Sequence, residues 1–430
     1  MPKIERLFGR EILDSRGKPT VLVTCILEGG IRASASVPSG ASTGAGEAFE
    51  LRDGDPNRYH GFGCRRAVAN IGGELLRGLA GRVFTNQADL DQAMIALDGT
   101  PAKSRLGANA ILAVSVAFAR ASAAQQGIPL YQYFANMLGV QVNRLPLLTI
   151  NLLSGGKHAG EQVSIQDVLI IPLCAHTADE ALIVAFDVYH AAAALVLKKY
   201  GMRLLTADEG GLSPPCKTAE EMFTLAMEAI EQAGYLPGKD IFLGVDVAST
   251  HFYNGRHYEM DSNTLDSLEM IKLIAHWVER FPIISVEDGL AEDDWEHWPM
   301  LRAAIAGRAL TLGDDLLCTN PRRIQRAVET RACDALLLKV NQIGTLTEAL
   351  EAYKQARAAG WSITLSVRSG ETEDSWAADL ATGWRTDQFK NGSIRHGERL
   401  AKYNRLLEIS EGTSWPLAGW PFALTRPPKS

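Results

Sequence analysis

The chain has 430 residues, 46% hydrophobic and 22% charged, the balance of a globular protein with a large core. Its net charge is −7 and it has no basic block, which argues against a nucleic-acid surface. The overall field repels anions, so an anionic ligand needs a local cluster of cations or metal. The six cysteines, at 25, 64, 174, 216, 318 and 333, form no C-x-x-C pair, so free core thiols are expected rather than a zinc site or a disulfide scaffold. Met1-Pro-Lys-Ile-Glu has no cationic and apolar signal pattern, and the longest apolar run, Ala191 to Leu197, is too short to span a bilayer. A cytoplasmic protein with no membrane partner is the expectation.

Length alone suggests about three domains, but a barrel of about 250 residues counts as one and makes two the better reading. The expected boundaries are residues 1–138 and 139–430. Thr20 to Leu27 alternates weakly, Gly29-Gly30 turns the chain, and Arg32 to Val37 alternates again, which predicts a hairpin. Residues 65 to 135 have helical spacing, with a mostly buried helix from Ala108. The first third is thus read as a small α+β unit. Beyond Leu145, apolar runs begin at Val168, Ile241, Pro282, Ala309, Ala335 and Ser362, at intervals that suit one strand and one helix each. Continuously apolar strands imply a sheet buried on both faces. A closed (β/α) barrel is the economical solution, with a doubly wound sheet as its rival.

A polar residue follows each run: Asp246, Glu287, Asp314, Lys339, and Arg368 after Val367. In a barrel these positions share the rim where active sites lie. Three converging carboxylates repel one another unless neutralised, and an all-oxygen donor set favours a hard cation such as Mg²⁺. Each acid alone reads equally well as a helix N-cap. Lys339, buried beside a metal and a second cation, is expected to have a lowered pKa and to serve as a base.

Arg10 to Gly17, Val37 to Gly44, Asp208-Glu-Gly-Gly, Ser285-Val-Glu-Asp, Ala291-Glu-Asp-Asp-Trp, Leu338 to Leu346 and Arg368 to Asp374 are close to enolase signatures, in order along the chain. The chain resembles enolase over essentially its whole length. The resemblance implies an α/β fold: an enolase-type modified (β/α)8 barrel with an N-terminal α+β capping domain. It implies Asp246, Glu287 and Asp314 as ligands of a first Mg²⁺, and Ser39 as a ligand of a second that binds only with substrate. It further implies Lys339 as the C2 base, Glu209 as the acid for the C3 hydroxyl, and Lys390 as the cation on the substrate carboxylate. Arg368 and Ser369 would grip phosphate, beside Gln166, and His158 would be a mobile-loop histidine near the leaving group. Homodimers or assemblies of dimers are implied as well.

The pattern breaks at four places. Asp167 stands where the family has glutamate, and one lost methylene draws the carboxylate back by about an ångström, enough to cost around a hundredfold. Val367 replaces a histidine that touches the substrate, opening volume and removing a donor. Gly289 replaces proline, and Asn391 to Arg399 departs from the family's sequence after Lys390. The changes cluster at the C3 and phosphoryl end, while the metal ligands and C2 base remain. The favoured reading is a specialised paralogue acting on phosphoenolpyruvate, 2-phosphoglycerate or a phosphonate relative, similar to the carboxyphosphonoenolpyruvate synthases of phosphinate biosynthesis. An ordinary glycolytic enolase and a non-catalytic scaffold are the alternatives.

Overall fold

The computed structural model describes residues 1–41, 44–201 and 205–422. β1 (Ile4–Leu13), β2 (Pro19–Leu27) and β3 (Arg32–Ser36) form an antiparallel sheet in that order. β2 and β3 are the hairpin expected from the sequence. β1 falls in the first 60 residues, where strand signals are read, but its bounds are not, because its inward residues Ile4 and Leu7 are separated by charge. The helix Ala108–Gln126 covers β2 and β3 and is buried along most of its length, since its small and branched apolar residues let the sheet approach on one side and neighbouring helices on the others.

The second unit is a closed eight-stranded barrel. Its strands are β4 (Leu147–Ser154), β5 (Asp167–Pro172), β6 (Ile241–Asp246), β9 (Ile283–Glu287), β10 (Leu310–Gly313), β11 (Ala335–Leu338), β12 (Ser362–Ser366) and β13 (Gln388–Lys390). The short hairpin β7 (Tyr258–Met260) and β8 (Asn263–Leu265) lies outside it. β5 runs antiparallel to both β4 and β6, whereas the other neighbours pair in parallel. The rival doubly wound sheet is excluded, and the barrel's opening units depart from regular order. β13 escaped the sequence reading because three residues, Gln-Phe-Lys, carry no period.

The helix Ala178–Tyr200 is long and apolar enough to cross a membrane by length and composition, a property the short run Ala191–Leu197 had concealed. It packs instead against β4, β5 and the helix Ala219–Gln232, as an outer helix of the barrel does. A capping box of Thr177 and Glu180 starts it, and Gly201 in the left-handed region (φ 65°) ends it.

The cap is fastened over the barrel rim. Ser39 and Gly370 exchange backbone hydrogen bonds of 2.8 and 3.0 Å. Gly370 has no room for a side chain there, since a Cβ would lie 2.6 Å from the Ser39 carbonyl. Asp91, fully buried on the helix Gln87–Asp98, accepts from the Thr347 N–H and hydroxyl at the start of Leu346–Ala358, joining the two units a second time.

Candidate active site at the barrel rim

Asp246 and Glu287 end β6 and β9 and are paired in register, so both carboxyls reach the same rim. Lys390, at the end of β13, donates to Asp246 Oδ2 and Glu287 Oε2 at 2.7 Å each. Asp314, just past β10, accepts from Lys339 and, on Oδ1 at 2.8 Å, from Gln342 Nε2. Gln166 Nε2 donates to Asp246 Oδ2 at 3.1 Å. The three expected metal ligands are therefore held by two lysines. Asp288 also belongs to this corner, but both its oxygens accept backbone N–H groups, from Asp314 and Asp315, and it serves to anchor the end of β10.

Charge is unevenly shared here. Burial works against ionisation of Asp246, yet Lys390 overrides it and takes the carboxyl down to about 2. Glu287 is pushed up by burial and by facing Asp246. Burial lowers Lys339, but the Asp314 carboxylate prevails over it and over Arg368, so the lysine lies above its ordinary value. Lys390 is raised for the same reason, by Asp246 and Glu287 against burial. The lowered value expected of Lys339 presupposes a metal on Asp314, which would draw that carboxylate's charge away from the lysine.

The acids suit a hard cation. Glu287 Oε1 is buried without a hydrogen-bond partner among the described residues, the kind of unsatisfied anionic oxygen that a cation coordinates. Asp288, Asp314 and Asp315 also offer carboxylate oxygens within 4.8 Å of one another.

Next to Asp246, Asp167 lies at the start of β5. Because β5 is inverted, that start is at the same rim, in register with Asp246 and with Ser154. His158 Nδ1 is 3.1 Å from Asp167 Oδ2, and Glu209 brings a carboxylate oxygen within 4.8 Å of both. Residues 4–134 match the family described as the enolase N-terminal domain, and residues 142–417 the enolase C-terminal TIM barrel domain.

The chain belongs to the enolase family.

As an enolase-family protein it is an enzyme of lyase-type superfamily chemistry, and its rim carries acidic groups able to bind metal. Several expected residues are placed differently from what resemblance to enolase implied. The Ser39 hydroxyl donates to Glu50 Oε2 and accepts from Arg52 Nη2, so it is turned to the cap rather than to the rim carboxylates. Ser42 and Thr43 of the same Val37–Gly44 motif lie outside the described residues. Arg368 makes a bidentate pair with Glu47 at 2.9 and 3.1 Å and donates to Asn341 Oδ1 at 3.2 Å. Ser369 Oγ accepts from the Ala41 N–H at 2.9 Å and from Arg16 Nη1 at 3.3 Å.

Val367 in this enolase-family protein is 5% exposed and part of the apolar core. The cavity beside it, lined by Leu365, Trp376 and Lys402 among others, measures about 10 Å³, room for roughly one water at most. The expected extra volume for an enlarged substrate group is absent at this position, because neighbouring apolar side chains close around the valine. Gly289 has a local cause: a Cβ there would lie 2.7 Å from Leu301 Cδ2.

Sequence reasoning missed Glu47, Asn341, Gln342, Asn151 and Ser154. Asn341 and Gln342 sit inside the motif that begins at Leu338. Asn151 is a lone amide within the buried strand Leu-Leu-Thr-Ile-Asn-Leu-Leu-Ser, a legible signal because a buried amide needs partners.

Proposed function

We propose that this protein abstracts the proton next to the carboxylate of a small phosphorylated or phosphonylated acid and expels the neighbouring hydroxyl, as in the interconversion of 2-phosphoglycerate and phosphoenolpyruvate. The observation that carries the reading is the meeting of Lys339 and Lys390 with Asp246, Glu287 and Asp314 at one barrel rim. Bound Mg²⁺, held by Asp246, Glu287 and Asp314, supplies positive charge where the substrate carboxylate becomes doubly negative. Lys339 is the base for the C2 proton, and Lys390 faces the carboxylate with its ammonium. Arg368 and Ser369 face the phosphoryl group, after Glu47 yields the guanidinium. Val367 offers this group no hydrogen bond, which supports a paralogue tuned away from ordinary turnover. The free cysteines support a reducing compartment. Exposed Phe8 and Leu13 on β1, with Ile183, Phe186 and Leu197 on the helix Ala178–Tyr200, support self-association.

The test is Mg²⁺-dependent dehydration of 2-phosphoglycerate, followed by absorbance of the enol product, beside calorimetric binding of phosphoenolpyruvate and its phosphonyl analogues. Ordinary turnover assigns the phosphate substrate. Slow turnover with tight, Mg²⁺-dependent binding of a phosphonyl analogue assigns the specialised role. Absence of both turnover and binding removes the reading.

A further inference from the structure

The turn between β1 and β2 reaches from the cap to the barrel, and it carries an arginine with no role so far. Asp14 Oδ1 accepts from the backbone N–H groups of Arg16 and Lys18 at 2.9 and 2.8 Å, and Gly17 takes the left-handed region (φ 70°). An Asx turn closed in this way holds its shape by local bonds. Ser15 docks it on the loop that follows β12. Its N–H donates to the Glu371 carbonyl at 2.8 Å, and its hydroxyl donates to the Ser369 carbonyl at 3.2 Å.

The Arg16 side chain is 8% exposed. Nη1 donates to Ser369 Oγ at 3.3 Å, and Nη2 donates to the Ser39 carbonyl at 3.0 Å. Asp14 Oδ2 is a loose partner at 3.5 Å, whereas Glu47 holds Arg368 at 2.9 and 3.1 Å. Arg16 Nε is buried and has no hydrogen-bond partner among the described residues. One guanidinium thus joins three segments far apart in sequence: its own turn, the cap loop at Ser39 and the barrel loop at Ser369.

Ser369 is 5% exposed, and its hydroxyl oxygen accepts twice, from Arg16 Nη1 and from the Ala41 N–H at 2.9 Å. A hydroxyl has two lone pairs and one hydrogen. Both lone pairs face donors of the cap, so the O–H points away from those donors, and among the described residues it reaches no acceptor. A buried donor left over in this way is what a ligand oxygen satisfies. Gly370 gives an independent sign that the contact is built. A Cβ there would lie 2.3 Å from Asp14 Oδ2 and 2.6 Å from Arg16 Nη2. The glycine after Ser369 is therefore what lets the arginine close on the hydroxyl.

We propose that Arg16 is a positioning residue: by donating to Ser369 Oγ from the cap, it fixes the Ser369 O–H as a donor to a phosphoryl or phosphonyl oxygen of the substrate. This rests on the function proposed above, which puts the phosphoryl group at Ser369. Arg16 also holds the Ser39 carbonyl, and the Ala41 N–H completes the pair of donors on Ser369. The O–H is therefore aimed only while the cap loop from Ser39 to Ala41 lies against the barrel loop. Domain contact and anion recognition are joined in one side chain.

The experiment is a double-variant cycle on the whole protein, with Arg16→Lys, Arg16→Gln, Ser369→Ala and the combination of Arg16→Lys with Ser369→Ala. Calorimetry with Mg²⁺ present reads the affinity for phosphoenolpyruvate and for inorganic phosphate. Arg16→Lys keeps the charge but loses the planar fork that reaches Ser369 and Ser39 together. It should weaken both ligands by about fivefold to tenfold, the effect of misdirecting one hydrogen bond to a charged group. Arg16→Gln should weaken both by about tenfold or more. In 2-phosphoglycerate dehydration, KM should rise by a similar factor while kcat stays within about threefold, because the phosphoryl group is held alike in ground and transition states. Once Ser369 is replaced by alanine, Arg16→Lys should add less than about twofold, as expected of residues that act as a unit.

A merely structural role gives another pattern, a lower kcat at unchanged KM, and that pattern overturns the inference. Wild-type affinity in Arg16→Lys overturns it as well. So do losses that multiply in the combined variant, since Arg16 would then act without Ser369. Arg16→Lys decides the matter if Arg16→Gln does not fold. If the wild-type protein binds phosphoenolpyruvate without dehydrating 2-phosphoglycerate, the calorimetric cycle decides alone. If it binds neither ligand, the functional reading fails and the inference falls with it. Binding with independent losses in the cycle removes the inference and leaves the functional reading standing.

Discussion

Lys390 Nζ donates to Asp246 and to Glu287 at the same 2.7 Å, so a single ammonium is shared by two buried carboxyl groups on adjacent strands. Removing it would leave Glu287 without its cation and Asp246 with only the Gln166 amide, both of them buried. Lys390→Met should cost about 3–5 kcal/mol, the usual penalty for breaking a buried pair from one side. Urea denaturation without divalent cations measures this, and a loss below about 1 kcal/mol would show that the acids find other partners or simply protonate.

The buried Glu287 Oε1 without a partner leads to a binding prediction. Mg²⁺ at a hundred times its dissociation constant should stabilise the fold by about 2.7 kcal/mol, from mass action alone. The shift in thermal midpoint on adding Mg²⁺, and its reversal by chelation, is the readout. Glu287→Gln should lose most of the shift while keeping its side-chain volume. A full shift in the variant would place the ion elsewhere.

Glu47 occupies both terminal nitrogens of Arg368. Any phosphoryl group binding Arg368 competes with it. Glu47→Gln keeps the shape and removes the competing charge, so inorganic phosphate and phosphoenolpyruvate should bind several-fold more tightly, at a cost in stability of up to about 3–5 kcal/mol. Calorimetry tests the first part. Weaker anion binding would mean that Glu47 orients Arg368 rather than competing for it.

His158 also makes a pH-dependent contribution to stability. Its folded value of about 8 exceeds the unfolded value, roughly 6.5. The contribution is therefore fully present below about 6.5 and is lost as pH rises through 8. The difference in urea midpoint between wild type and His158→Gln should be larger at pH 6 than at pH 9. Equal differences would show that the ring stays neutral throughout.

The residues at strand ends were legible because each parallel strand carries its own signal: an apolar run, then a polar residue at the rim. Asp246, Glu287, Asp314 and Lys339 could be read one at a time for that reason. Asp167 could not, because it opens its strand and reaches the rim only through the inversion of β5. The Glu47–Arg368 pair spans the cap and the barrel, and no local pattern records a contact across that distance in sequence.

By itself the sequence determined the barrel, the family and the set of charged side chains, since these follow from hydrophobic periodicity and short motifs. Tertiary structure alone decided how the charges pair. It also closed the space beside Val367. A pKa and a cavity depend on the atoms within a few ångströms, and at this rim those atoms come from eight different strands and a separate domain.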